Sequence, residues 1–67
     1  MIEINKKEYD WEAGLSLYDI FRMAGYTLKK PSVMVHVNGK VVKRDSWDRF
    51  KVEDGSRIEL VNLLRGG

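Results

Sequence analysis

With 67 residues, the chain is long enough for one domain but too short to enclose a sizeable active-site cavity. Its net charge is only +2, with acidic residues interleaved among the lysines and arginines, so the concentrated basic face of a nucleic-acid-binding protein is not expected. Apolar residues make up 43% of the sequence and cysteine is absent, which indicates a globular domain held by packing and excludes disulfides, thiolate metal sites and a cysteine nucleophile.

The N-terminus predicts a β-hairpin. Ile2, Glu3 and Ile4 alternate, which is typical of a short strand with both isoleucines on one face. Residues 5–7 are expected to form a turn, and the alternation over residues 8–11 predicts the partner strand.

A helix is predicted next. Ser16 is a favoured N-cap residue, and Asp19 three positions later completes a pattern like a capping box. Gly25 is placed to end the helix, which would have about nine residues and would need a sheet to lie on. Its apolar face is expected to consist of Leu17, Ile20, Phe21 and Ala24.

A second hairpin is the strongest signal in the chain. Residues 32–37 alternate between valines on one side and Met34 and His36 on the other, which predicts a strand. Asn38-Gly39 is the sequence preferred in a type I′ turn, and residues 40–43 return as the partner strand.

The remaining segments complete an α+β arrangement. Residues 45–50 predict a turn or a short helical turn with Trp47 and Phe50 under the sheet edge, and a further turn follows at Asp54-Gly55. Residues 57–63 predict the last strand, with Ile58 and Leu60 pointing inward. The order β-β-α-β-β-β, with the first and last strands as central parallel neighbours, predicts a β-grasp fold: a mixed sheet of about five strands with one main helix packed across it.

No catalytic or metal-binding residue is predicted. His36 is the only histidine and has no nucleophile or carboxylate at a recognisable spacing. The acidic residues between positions 45 and 54 lack the spacing of a calcium loop. The aromatic residues Tyr9, Trp11, Tyr18 and Trp47 are interpreted as packing anchors.

The whole chain resembles the ThiS family of sulfur carriers, with the MoaD family and ubiquitin as more distant relatives of the same fold. The resemblance rests on the early turn, the helix after Leu15-Ser16, the segment 35–44, Trp47, Asp54-Gly55, the segment 58–61 and the final Gly66-Gly67. It implies a β-grasp domain over residues 1–63 and a flexible tail over residues 64–67.

The resemblance also implies that the chain is a carrier and not an enzyme. An activating enzyme similar to ThiF or MoeB would use ATP and magnesium to adenylate Gly67, and a sulfur donor would then convert Gly67 to a thiocarboxylate. The acceptor would be a thiazole synthase of thiamin biosynthesis or another sulfur acceptor. The carrier would bind no cofactor of its own, and we expect it to be cytoplasmic, without nucleic-acid or membrane partners.

The tail and one face of the sheet are the predicted working parts. Gly66 and Gly67 make the narrowest backbone available, and residues 64–67 span at most about 13–14 Å. Leu64 and Arg65 complete the tail, where Arg65 either pairs with an acidic residue of a partner or is a solvated tail residue. The predicted docking surface lies opposite the helix and consists of Val61, Leu63, Glu59, Met34 and His36.

Three alternatives share the same residues. The tail Leu63-Leu64-Arg65-Gly66-Gly67 also resembles that of ubiquitin, which implies a protein modifier joined through Gly67. A MoaD-like carrier would deliver sulfur to molybdopterin synthesis instead. In a simple binding module, the tail would be incidental.

Overall fold

The computed structural model describes residues 1–28 and 30–63. In this part of the chain, five strands form a mixed sheet in the order β2-β1-β5-β3-β4. The elements are β1 (Ile2–Ile4), β2 (Lys7–Tyr9), α1 (Leu17–Met23), β3 (Val33–Val37), β4 (Lys40–Val42), a 3-10 helix (Arg44–Arg49) and β5 (Arg57–Asn62). The predicted element order is therefore confirmed.

The first and last strands are parallel neighbours near the middle of the sheet, as predicted. Ile4 pairs with Ile58, and the backbone N–H of Asn5 continues the ladder by donating to the Ile58 carbonyl over 2.9 Å. Strand β5 also pairs antiparallel with β3 along five residue pairs, so its backbone is bonded on both sides. Because β5 is central, its inward residues reach the middle of the core: Ile58 is completely buried.

The second strand begins earlier and ends earlier than the sequence predicted. It covers Lys7–Tyr9, and residues 10 and 11 lie beyond it. The reason is a two-residue turn at Asn5 and Lys6, which both have positive φ angles (50° and 70°), so that Lys7 already pairs with Ile4. Asn5 is fixed there because its Oδ1 accepts a hydrogen bond from the Leu60 N–H over 2.8 Å.

Helix α1 begins with the predicted capping box. The Asp19 N–H donates to Ser16 Oγ over 3.3 Å, and the Ser16 N–H donates to Asp19 Oδ2 over 3.0 Å. The helix has seven residues, because Ala24 already acts as its C-cap, and Gly25 follows in the left-handed conformation with a φ of 96°. The predicted cap and the predicted end are both confirmed, although the helix is shorter than expected.

The capping box lowers the pKa of Asp19. The N–H of Ser16 donates to the carboxylate and is the main cause, with the Ser16 hydroxyl and the charge of Arg22 adding to it against the opposing effect of burial. Because the folded-state pKa lies below the unfolded-state value, Asp19 stabilises the fold at neutral pH.

Replacing Asp19 by Asn is expected to lower the free energy of unfolding by roughly 0.5–1 kcal/mol at neutral pH. The carboxylate's contribution is present above its unfolded-state pKa of about 3.9 and is lost as the pH falls through the lower folded-state value. The difference between the native chain and the variant, measured by urea unfolding, should therefore shrink below about pH 4. A difference that persists unchanged in strong acid would show that the charge of Asp19 is not involved.

The core lies between α1 and one face of the sheet. Phe21 is its aromatic centre: its ring centroid lies 4.9 Å from that of Trp47, and Tyr18 and Tyr26 meet it edge-on. Trp47 is 1% exposed and donates its Nε1–H to the Val42 carbonyl, so the 3-10 helix is tied to the end of β4. The buried apolar residues are Ile2, Ile4, Leu15, Leu17, Ile20, Phe21, Val33, Val35, Val37, Trp47, Val52, Ile58 and Leu60.

Candidate functional site

The face of the sheet turned away from α1, here called the outer face, carries the predicted docking residues. In β5, Ile58 and Leu60 are buried while Glu59 and Val61 are exposed, as the alternation predicted. Leu63 follows Val61 by two residues and lies one position beyond the end of β5. Its N–H still donates to the Ser32 carbonyl over 2.9 Å. The antiparallel pattern therefore fixes the chain path as far as Leu63.

Cross-strand pairing brings the predicted residues together. Met34 of β3 lies opposite Val61, and His36 lies opposite Glu59. Directly opposed side chains on one face are in contact range, so Met34, His36, Glu59 and Val61 form one continuous patch. Their role in docking stays a prediction.

Four exposed apolar side chains on this face form what we call the apolar strip. Met34 is 39% exposed, Val41 56%, Val61 48% and Leu63 52%. Single exposed apolar residues are ordinary, but a group of neighbouring ones is typical of an interaction site.

Val41 is the member of the strip that the sequence analysis missed. Strand β4 pairs with β3 so that Val41 lies opposite His36, which places it on the outer face beside the predicted residues. The sequence contained enough information to place Val41, because a two-residue Asn38-Gly39 turn fixes the register and sets residue 36 opposite residue 41.

His36 occupies the middle of the outer face as a packing residue. It is half-buried between Val41 on one neighbouring strand and Glu59 on the other. Its Nδ1 is buried and has no hydrogen-bond partner among the described residues. No described side chain therefore orients His36 through its Nδ1.

The apolar strip has a different charge environment at each end. Away from the tail, Glu59 is exposed, and Glu3 and Arg57 form an ion pair over 3.7 Å. Near Leu63, the strip borders a shallow depression of about 180 Å³ that is also lined by Lys43 and Arg44. The end of the strip at Leu63 is therefore the basic end.

The predicted tail lies outside the described residues. Leu64, Arg65, Gly66 and Gly67 follow directly after Leu63. What the structure establishes is their starting point, at the basic end of the apolar strip.

Within residues 1–28 and 30–63, no three His, Cys, Asp or Glu side chains come close enough together to hold a metal ion. In the same ranges, no helix is both long and apolar enough to cross a membrane. The two tryptophans serve packing: Trp11 and Trp47 donate their indole N–H groups to the carbonyls of Val52 and Val42.

Comparison with known proteins decides the family. The model of the ThiS family matches residues 1–67. The chain belongs to the ThiS family. Members of this family are small sulfur carriers, so the chain is a carrier protein and not itself an enzyme.

Two solved ThiS structures are similar to this chain. The crystal structure of the thiamine biosynthesis protein ThiS from Geobacter metallireducens is 25% identical, with a TM-score of 0.73, and the match covers 98% of this chain and 97% of that one. An NMR solution structure of a thiamine biosynthesis protein from the same organism is 25% identical, with a TM-score of 0.72, and covers 98% and 86% of the two chains. These matches confirm the predicted β-grasp fold and support a sulfur carrier of thiamine biosynthesis.

Proposed function

We propose that the carboxyl group of Gly67 is adenylated by a ThiF-like activating enzyme and converted to a thiocarboxylate, which donates sulfur for the thiazole of thiamin. The observation that carries this proposal is the ThiS-family match over residues 1–67, which includes Gly66 and Gly67. The similarity to thiamine biosynthesis proteins over nearly the whole chain supports the choice of pathway.

The chemistry needs a partner because a carboxylate is a poor electrophile. The Gly67 carboxylate would attack the α-phosphate of ATP, pyrophosphate would leave, and an acyl-adenylate would form. A sulfur nucleophile would then attack the acyl carbon and displace AMP, which leaves a C–S bond in place of a C–O bond. ATP, magnesium and the catalytic residues would belong to the activating enzyme, while the carrier supplies the reacting carboxyl group.

The position of Leu63 supports a tail that enters a partner while the domain stays outside. Leu63 is bonded to Ser32, so the position from which residues 64–67 continue is fixed. From there residues 64–67 span at most about 13–14 Å, enough to reach a recessed site. Glycine has no Cβ, so Gly66 and Gly67 would pass through a narrower channel than any other pair of residues.

The apolar strip supports docking beside that channel. Burying Met34, Val61 and Leu63 against the activating enzyme would remove exposed apolar surface from water, which favours association. The predicted surface also includes His36 and Glu59, which border the strip on the side away from the tail. Arg65 would pair with an acidic group at the channel entrance.

The proposal is tested by intact-mass analysis. The carrier is incubated with the activating enzyme from the same source, ATP, magnesium and sulfide, and replacement of oxygen by sulfur is expected to add about 16 Da. The added mass should depend on ATP and should be absent when Gly67 is deleted. The same measurement checks that Gly67 carries a free carboxyl group, as the proposal requires.

If the activating enzyme releases pyrophosphate in the presence of the carrier but the carrier gains no mass, the sulfur step is ruled out. Isopeptide-linked adducts in cell lysate that disappear when Gly67 is deleted would instead favour a protein modifier. If the native chain restores growth without added thiamin and the Gly67 deletion does not, this result would support the thiazole pathway over molybdopterin synthesis.

A further inference from the structure

Arg44 is an exposed cation whose guanidinium group is held in place. It is the first residue of the 3-10 helix, directly after the N-cap residue Lys43. Its guanidinium carbon lies 5.5 Å from the centroid of the Trp47 ring, and its Nη2 donates to the Lys30 carbonyl over 2.9 Å. Because Trp47 is buried and hydrogen-bonded to β4, the surface on which Arg44 rests is rigid.

Orientation of this kind favours binding. An exposed arginine normally loses side-chain freedom when it binds a partner, which weakens the interaction. Arg44 is already restricted by the Trp47 ring and the Lys30 carbonyl, so it has less freedom left to lose. A planar guanidinium is also suited to a bidentate interaction with a carboxylate.

Neither Arg44 nor Lys43 is neutralised within the part of the chain that the structure describes. The ion pairs there join Asp19 to Arg22, Asp48 to Lys30, Glu3 to Arg57 and Asp54 to the N-terminal ammonium group. The neighbouring Asp45 forms no ion pair with Arg44. One of the five guanidinium N–H donors is used by the Lys30 carbonyl, so most of the donor capacity of Arg44 is available to a partner.

The two cations lie beside Leu63, the last residue that the structure describes. Lys43, Arg44 and Leu63 line the same shallow depression, together with Met34 and Val41 of the apolar strip. Continuing the β3–β4 register by one residue sets Lys43 opposite Met34, and Met34 is opposite Val61. A partner that covers the strip around the tail therefore contacts Lys43 and Arg44 as well.

We infer that Arg44, assisted by Lys43, binds an acidic side chain of the activating enzyme and sets the angle at which the carrier docks. The inference rests on the proposed function. A tail in a channel leaves the domain free to rotate about the tail, and an apolar contact beside it restricts that rotation only loosely, because apolar contacts are not directional. A charge pair away from that axis fixes the rotation, because only one orientation brings the carboxylate to Arg44. The partner surface that fits is apolar where it meets the strip and carries at least one carboxylate near the channel entrance.

The inference is tested with charge variants of the full chain. Arg44→Glu reverses the charge, Arg44→Gln removes it while keeping a polar side chain, and Arg49→Glu is the matched control, since Arg49 is an exposed arginine of the same 3-10 helix. Steady-state pyrophosphate release by the activating enzyme gives KM and kcat for each carrier. Thermal unfolding of each variant checks the fold, and Arg44→Gln decides the matter if Arg44→Glu is unstable.

Arg44→Glu is expected to raise KM roughly 10- to 100-fold at low salt, and Arg44→Gln by a smaller factor, with kcat at saturation nearly unchanged. The difference in KM between the Arg44 variants and the native chain should become smaller at about 0.5 M salt, because ions screen the charge pair. Arg49→Glu is expected to stay within about 2-fold of the native KM.

Equal KM values for the Arg44 and Arg49 variants would overturn the inference. If the native chain is activated normally, that result leaves the proposed function intact, whereas failure of the native chain itself counts against the proposed function. Salt-dependent self-association that is lost in Arg44→Glu, with KM unchanged, would show that the basic end binds a second copy of this chain, which would also overturn it.

Discussion

Val61→Asp is expected to raise the KM of the carrier for its activating enzyme roughly 30- to 300-fold. Val61 is 48% exposed in the apolar strip, between Met34, its partner on the neighbouring strand, and Leu63 two residues later on the same face. When the strip is covered, a carboxylate at position 61 would lose water against the apolar side chains of Met34 and Leu63, which is strongly unfavourable. The measurement is steady-state pyrophosphate release at increasing carrier concentration.

The matched control is Leu28→Asp, which introduces the same charge at an apolar residue that is 67% exposed. Leu28 lies beside Tyr18 and Arg22 on the helix side of the domain, away from the strip. Both variants should stay folded, since Val61→Asp changes an exposed strand position and is expected to reduce stability by no more than about 1 kcal/mol. If the two variants have the same KM, the outer face is not the docking surface.

Phe21→Ala is expected to have the largest effect on stability, a loss of about 3–5 kcal/mol in the free energy of unfolding. Phe21 is 1% exposed and contacts the rings of Trp47, Tyr18 and Tyr26, so its removal leaves a cavity that the surrounding rings cannot fill. A domain of 67 residues is stabilised by roughly 3–10 kcal/mol in total, so a large part of the margin would be lost.

Thermal unfolding followed by circular dichroism measures this effect. A loss of about 3 kcal/mol should lower Tm by more than about 12 °C in a domain of this size. The control variant Phe21→Leu keeps most of the buried volume and should lose less than about 1.5 kcal/mol. A Phe21→Ala variant as stable as Phe21→Leu would mean that the buried volume of this side chain does not hold α1 to the 3-10 helix.

The outer face shows how much of the candidate site local sequence patterns can predict. The alternation in residues 32–37 and 57–63 placed Met34, His36, Glu59 and Val61 on one face, and the structure agrees. The same reasoning, continued across the Asn38-Gly39 turn, would have added Val41, because a two-residue turn leaves only one register. The chemical role of Gly67 was also suggested by sequence, through family resemblance and not through geometry.

The first hairpin shows where a local pattern fails. The alternation over residues 8–11 predicted a strand there, but the strand runs from Lys7 to Tyr9. The turn places Lys6 at a φ of 70°, an uncommon conformation for lysine, and the neighbouring Asn5 is held by the backbone of β5. A contact with a strand more than fifty residues later in the chain holds this turn in place.

By itself the sequence determined the cap at Ser16, the second hairpin, the inward and outward faces of β3 and β5, and the parallel pairing of the first and last strands, which follows from element order. These features depend on residues close together in the chain or on the limited ways of joining strands and helices. Only the tertiary structure brought Lys43 and Arg44 to the point where the chain leaves at Leu63, and oriented Arg44 on Trp47 and the Lys30 carbonyl. The physical reason is that these contacts join loops that share no periodic pattern, so their positions are decided by how the 3-10 helix packs against α1 and β4.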